Sequence, residues 1–172
     1  MIMRPGQQLL LPANPLFIWG SLLLALFANM LPLGRVAWMP DFLALVLVFW
    51  SVHQPLRVGI GSAFFFGLAM DVHQAALLGQ HALAYTALSF LAIAIHRRLL
   101  WFSVPSQAVQ VLPLFAVMHA IELAVRMLSG GIFPGLTILV APLAEALLWP
   151  VVSVVLLVPQ RRAPDPDENR PL

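Results

Sequence analysis

Six long apolar segments, separated by short breaks rich in proline, glycine and polar residues, leave this chain few environments other than a lipid bilayer. The segments cover residues 16–33, 36–52, 56–70, 75–95, 108–128 and 136–158. A helix that crosses a bilayer needs about 20 mostly apolar residues. The pattern therefore predicts an all-α integral membrane protein with about six transmembrane helices. Segments two and three are short, and a re-entrant pair is the alternative for them.

The scarcity of charge excludes an ordinary soluble domain. Charged residues make up 9% of the 172-residue chain, against roughly 25% in soluble globular domains. All basic residues are arginine, and the formal net charge of +2 provides no basic stripe for nucleic acid. The absence of cysteine excludes a disulfide scaffold and thiolate chemistry. We therefore expect the lipid bilayer as the surroundings, no nucleic-acid partner and no cofactor.

The placement of the arginines predicts an orientation. If the N-terminus is cytoplasmic, most arginines lie on the inner side and only Arg35 and Arg126 lie on the outer side, as the positive-inside rule requires. The inner arginines are Arg4, Arg57, Arg97, Arg98, Arg161, Arg162 and Arg170. An even number of spans places both termini in the cytoplasm. We thus expect a polytopic transmembrane domain over residues 1–159 and a polar cytoplasmic tail over residues 160–172.

A ridge of small residues follows the turn that Pro55 and Arg57 mark. Gly59, Ala63 and Gly67 recur at steps of four, and each step advances only about 40° around a helix. Ridges of this kind let helix backbones approach closely in lipid, where packing rather than the hydrophobic effect drives association. We interpret the ridge as a packing surface against a neighbouring segment of the same chain. A partner-protein interface is the alternative.

Asp71 lies at the outer end of segment three, shortly before Gly79. A carboxylate at this depth is costly unless it is paired or caps a helix. The free amides at the start of the next helix attract negative charge. We therefore interpret Asp71 as a residue that caps that helix or fixes the turn. A ligand, proton or metal role with His73 and His81 is the alternative.

Polar side chains also occur inside segments five and six. His119, Glu122 and Arg126 share one helical face, and the i,i+4 order of Glu122 and Arg126 favours an ion pair. Glu145, near the middle of segment six, must face the protein interior, find a partner or be protonated. On depth, His119 or another chain is a better partner than Arg126. For the face of His119, Glu122 and Arg126, the alternative is that it lines a cavity or contacts a partner. For Glu145, the alternative to a structural hydrogen bond is a functional contact.

Enzymatic chemistry has little support. A serine nucleophile needs an imidazole within hydrogen-bonding distance. Ser62 is predicted in the inner half of its span, whereas His73 and His81 are predicted near the outer face; His119 is not excluded by depth alone. The sequence contains no His-Glu-x-x-His motif for a metal-dependent hydrolase. We therefore expect no catalytic, cofactor-binding or metal site.

An ordered set of short motifs resembles the rod shape-determining protein MreD family. The motifs read W-x(4)-P-x-R-V-x-[IVT]-G, G-x(3)-D and L-G-x-x-A-L, and here they comprise Trp50, Pro55, Arg57, Val58 and Gly61, then Gly67 and Asp71, then Leu78, Gly79, Ala82 and Leu83. Pro40 and Asp41 are similar to the family's proline-led start of the second helix. The chain length and the basic inner loops also agree.

The resemblance implies a component of the peptidoglycan elongation machinery in the bacterial inner membrane. Such a protein would be a non-catalytic scaffold or regulator of rod cell shape, working with MreC as direct partner and with MreB and wall-elongation synthases. It would have a fold similar to the substrate-binding subunits of vitamin transporters. The six spans and the polar groups at depth suggest an alternative function, a small-molecule binding subunit of a vitamin-type transporter. Its cavity would be lined by Asp71, His81, His119 or Glu122.

Overall fold

The computed structural model describes residues 13–31 and 39–160, and these residues form six α-helices. The helices are α1 (Pro15–Met30), α2 (Phe42–His53), α3 (Ile60–Gln74), α4 (Gln80–Leu99), α5 (Val104–Leu128) and α6 (Val140–Leu157). Short 3₁₀ turns precede and follow α6, at Leu136–Leu139 and Val158–Gln160. No strand occurs in these two ranges. The predicted all-α class is confirmed.

The central element is α2, whose residues 43–52 are all buried. The helix begins after Pro40, where the Asp41 side chain caps it, and ends one residue before Gln54 and Pro55. A helix that is apolar all round belongs in the interior of a protein or in lipid. Here the surroundings are α1, α4 and α6, which pack against it. With 12 residues, α2 is about 18 Å long, shorter than the hydrocarbon core of about 30 Å.

The remaining helices pack mainly on their neighbours in sequence. α3 packs on α4, α4 on α5 and α5 on α6, while α1 lies against α2 and touches α3. The two short segments, α2 and α3, therefore have different main partners, since α3 packs on α4 and α2 packs on α1 and α4.

The surface of the bundle is far more apolar than that of a soluble protein, and carboxylates are buried inside it. Large apolar side chains such as Leu16, Phe65 and Leu147 are more than two-thirds exposed, whereas Asp71 and Glu145 are buried. An apolar surface of this extent marks a membrane or partner-binding surface. The fold therefore fits a protein surrounded by lipid.

The helices differ in their ability to cross a bilayer. α5 and the stretch Leu136–Gln160, which contains α6, are long and apolar enough to span it by length and composition. α1 and α2 are apolar but have only 16 and 12 residues. The six predicted segments thus correspond to six helices of unequal length.

Several helix limits differ from the predicted segments. α3 continues to Gln74, so Asp71 lies within the helix. α4 begins at Gln80 because residues 75–79 form the turn, and it continues to Leu99, so it includes Arg97 and Arg98, which lie beyond the predicted limit at residue 95. Arginine is a good helix former and is favourable near a helix C-terminus, so the pair lies in the last turn.

Some predictions concern residues outside the described ranges. They include the break between segments one and two at residues 32–38 and the tail after Gln160. The arginines outside these ranges are Arg4, Arg35, Arg161, Arg162 and Arg170. The orientation and the division into residues 1–159 and 160–172 stay predictions.

Candidate functional site

Polar side chains from five helices, and from the residue that caps α2, meet at one end of the bundle. Hydrogen bonds join the end of α1 to the start of α2, the end of α3 to the start of α4, and the C-terminal half of α5 to α6. This end is the outer one in the predicted orientation. We call it the outer polar layer, and it has two parts. The Asp71 cluster contains Asp71, Gly79 and His81; the Asp41–Glu145 cluster contains Asn29, Asp41, Tyr85, His119, Glu122 and Glu145.

The Asp71 carboxylate caps the N-terminus of α4 from the last turn of α3. Its Oδ2 accepts a hydrogen bond from the Gly79 amide at 2.8 Å, and its Oδ1 accepts one from the His81 amide at 2.7 Å. The His81 ring Nδ1 lies 2.8 Å from the same Oδ1, and the Ala82 amide is 3.4 Å from Oδ2. These contacts satisfy amides that have no acceptor within α4. Asp71 therefore caps α4, in agreement with the capping interpretation. His73, which the alternative metal site would require, is exposed.

Two glycines make this arrangement possible. Gly79 has φ +102°, a left-handed conformation that side chains with a Cβ rarely adopt. A Cβ added at Gly67 would lie 2.3 Å from the Ala82 Cα, so α3 and α4 are in backbone contact there. Ala63 is also buried, but Gly59 lies before the helix and an added Cβ would meet only the Pro55 carbonyl, at 3.6 Å. Of the predicted ridge, the part that packs within the chain is thus Ala63 and Gly67.

Asp41 links three helices in the second cluster. Its Oδ1 caps α2 by accepting from the Ala44 amide at 2.9 Å and also accepts from the Asn29 Nδ2 of α1 at 2.6 Å. The Tyr85 hydroxyl of α4 donates to Oδ2. Asn29 in turn accepts from the Phe42 amide at 3.0 Å. The start of the central helix is thereby tied to α1 and α4.

Glu145 extends the cluster to the last two helices. It is completely buried in the second turn of α6, and its Oε1 accepts from the Asp41 backbone amide at 2.9 Å. The His119 Nε2 of α5 lies 3.0 Å from Oε1 and 3.2 Å from Oε2. His119 is the partner that depth favoured. Glu145 is the tenth residue of the 25-residue apolar stretch Leu136–Gln160, which begins with the 3₁₀ turn at Leu136–Leu139.

The predicted ion pair between Glu122 and Arg126 does not form. Glu122 Oε2 lies 3.4 Å from His119 Nδ1, and its buried Oε1 has no hydrogen-bond partner among residues 13–31 and 39–160. Arg126 is exposed, and its stem packs against Gly131. A long arginine side chain near a helix end can extend its charge towards the interface. Helical spacing therefore identified the correct face of α5. Within that face Glu122 contacts His119, which is partly buried, and does not contact the exposed Arg126.

The other predicted site residues lie at the opposite end of the bundle. Pro55 and Arg57 form part of the α2–α3 turn, and Arg57 Nη1 donates to the Ala13 carbonyl at 3.2 Å. Ser62 donates to the Gly59 carbonyl at 2.7 Å and accepts from the Gly59 amide at 3.1 Å. Across residues 13–31 and 39–160, no group of three acidic or histidine side chains is arranged to hold a metal ion.

Asn29 and Tyr85 are members of the site that the sequence reasoning missed. Tyr85 is the only tyrosine of the chain, and Asn29 is a polar residue near the end of an apolar segment. Both features could have marked them as polar groups that need partners in lipid. Their shared partner Asp41 could not be inferred, because it is 12 residues from Asn29 and 44 from Tyr85.

Comparison with known proteins gives one consistent result. The chain matches the family described as rod shape-determining protein MreD over residues 12–160. It is 31% identical over 129 residues to the rod shape-determining protein MreD of Haemophilus influenzae, covering 73% of this chain and 77% of that protein. No solved structure matches the chain.

Proposed function

The chain belongs to the rod shape-determining protein MreD family, and from this premise we propose that it is a non-catalytic scaffold of the peptidoglycan elongation machinery. Family membership gives the protein a role in rod-shape determination and a place in a membrane. The proposed part is the mechanism. The bundle presents a fixed helical surface to MreC in the bacterial inner membrane, and MreC connects it to MreB and the wall-elongation synthases.

The observation that carries the scaffold mechanism is the internal use of the buried carboxylates. Asp71 is bound to the amides of α4, and Glu145 is bound to His119 and to the backbone of Asp41. Carboxylates with several internal hydrogen bonds make the bundle rigid. A vitamin-type transporter would need the same groups to face a ligand. The family comparisons add no support to that alternative.

We further propose that the six helices all lie in the membrane with the outer polar layer towards the periplasm. The natural absence of cysteine allows a direct test, because a single introduced thiol has no competitor. Leu56 is fully exposed in the α2–α3 turn, and Ile132 is 85% exposed in the connection between α5 and α6. They form a matched pair at opposite ends of the bundle.

A membrane-impermeant maleimide should label Ile132→Cys in spheroplasts and should label Leu56→Cys only after the membrane is opened. The reverse pattern would contradict the orientation. Labelling of both from one side would contradict the alternation of the helices across the membrane.

The partner is tested by purification of the unmodified chain from cells that contain MreC. We expect MreC in stoichiometric amount and no bound small molecule. A stoichiometric vitamin-like compound without MreC would overturn the scaffold in favour of the transporter.

The packing of α3 on α4 provides a variant with a matched control. Gly67→Leu places a large side chain where the Ala82 backbone lies, whereas Gly61→Leu on the same helix meets nothing within 4 Å of its Cβ. We expect Gly67→Leu to lose recruitment of MreC and rod shape, and Gly61→Leu to retain both. If Gly67→Leu accumulates and recruits MreC like the parent, the packing argument is wrong.

A further inference from the structure

A groove occupies the end of the bundle opposite the outer polar layer. It has a volume of about 570 Å³ and is lined by Arg97, Arg98, Trp101 and Phe102. These residues belong to the last turn of α4 and to the short connection before α5. Ligand pockets commonly have volumes of roughly 300–1,000 Å³, so the groove is large enough for a lipid headgroup and the first part of its chains.

The positive charge of the groove is not neutralised by any acidic residue in the described part of the chain. Arg97 and Arg98 are exposed, and neither forms an ion pair or a side-chain hydrogen bond with residues 13–31 or 39–160. The acidic residues within those ranges are all in the outer polar layer: Asp41, Asp71, Glu122 and Glu145. No acidic residue of the described ranges therefore neutralises the two arginines that line the groove.

The apolar part of the groove is equally exposed. Trp101 is 90% exposed and Phe102 is 45% exposed. Tryptophan is enriched at the level of lipid headgroups, where one part of its ring is in contact with hydrocarbon and another with water. The combination of arginine and aromatic side chains thus has the two kinds of surface that a phospholipid requires.

The start of α5 adds further hydrogen-bond donors beside the groove. Among the described residues, no side chain caps this helix. Val104 and Ser106 are in its first turn, where amides have no acceptor within the helix. The positive end of a helix dipole favours a phosphate. This end of α5 therefore adds to the attraction for an anion that the two arginines exert.

We propose that the groove binds the headgroup of an anionic phospholipid in the inner leaflet. Arg97 and Arg98 hold the phosphate, since the planar guanidinium group presents a fork of donors that matches phosphate oxygens. The acyl chains lie along Trp101 and Phe102. The assignment to the inner leaflet rests on the proposed orientation, but the binding of the lipid to the groove does not.

Native mass spectrometry of the full chain in detergent tests the proposal, with phosphatidylglycerol titrated against phosphatidylcholine as the neutral control. We expect selective retention of phosphatidylglycerol. The double variant Arg97→Gln, Arg98→Gln should weaken its binding roughly 30-fold, or about fivefold for each arginine near an anionic surface. Arg126→Gln is the matched control, because Arg126 is also exposed and is near the opposite end of the bundle. It should leave the affinity unchanged.

Three results would contradict the proposed lipid site. Equal binding of the two lipids, or equal losses in the double variant and in Arg126→Gln, would overturn the site. A marked gain in binding after Asp165→Asn, Asp167→Asn and Glu168→Gln would also overturn it, because the tail of the same chain would then be the occupant. The measurement contains no MreC, so its failure would leave the scaffold proposal untouched.

Discussion

The two clusters of the outer polar layer bind buried carboxylates in different ways. The partners of Asp71 lie eight to eleven residues further along the chain. Glu145 binds the backbone of Asp41 across 104 residues and His119 across 26. The Asp71 cluster can therefore form as soon as α3 and α4 meet. The Asp41–Glu145 cluster is complete only when α1, α2, α4, α5 and α6 are all in place.

This difference indicates a division of roles. In lipid, packing and hydrogen bonds must select the correct arrangement of helices, because the hydrophobic effect between them is absent. The Asp71 cluster fixes one helix pair, together with the close approach at Gly67. The Asp41–Glu145 cluster stabilises the assembled bundle around α2. Loss of the second cluster should therefore cost more than loss of the first.

The largest effect is expected for Glu145→Ala. It removes the acceptor of the Asp41 amide and of His119 in a completely buried position, and loss of one partner from a buried pair typically costs about 3 kcal/mol or more. The free energy of unfolding in detergent measures the loss. Glu122→Ala is the control, since in the described part of the chain the one polar contact of its carboxylate is with His119, at 3.4 Å. Equal losses in both variants would contradict the central role of Glu145.

A smaller effect is expected for Asp71→Ala. The variant loses the cap of α4, and the loss of a helix cap costs about 1–2 kcal/mol. Asp71→Asn keeps one oxygen acceptor and should recover part of the stability. The unfolding free energies of the two variants test this order. An Asp71→Ala loss larger than that of Glu145→Ala would reverse the comparison between the clusters.

The smallest effect is expected for Tyr85→Phe, which removes one hydroxyl group from the Asp41–Glu145 cluster. An intramolecular hydrogen bond contributes about 1 kcal/mol, and here it connects α4 to the start of α2. Thr86→Val is the matched control on the same helix, because the Thr86 hydroxyl donates only to the Ala82 carbonyl of its own helix, at 2.6 Å. We expect thermal unfolding to show a clear loss for Tyr85→Phe and almost none for Thr86→Val.

The contacts that were predictable are those made between neighbours in sequence. Asp71 followed by Gly79 indicated a capped turn, and the spacing of Ala63 and Gly67 indicated a close helix contact. The predicted ion pair between Glu122 and Arg126 was wrong. Helical spacing alone cannot show whether His119 or Arg126 faces the interior. In the Asp41–Glu145 cluster, only the contact between His119 and Glu145 was favoured from the sequence, on the basis of depth. The other contacts were not predictable, since their members are distant in the sequence and the sequence does not show which donor a carboxylate will bind.

The sequence by itself determined that the chain is helical and surrounded by lipid, because apolar segments of this length have few other environments in which to satisfy their backbone. It also placed four of the seven acidic residues, Asp41, Asp71, Glu122 and Glu145, within or beside those segments. Only the tertiary structure decided that α2 is the enclosed helix and that Asp41, Tyr85, His119 and Glu145 meet at its start. The physical reason is that a buried carboxylate in lipid requires partners, and only the packing of the helices determines which donors lie within reach.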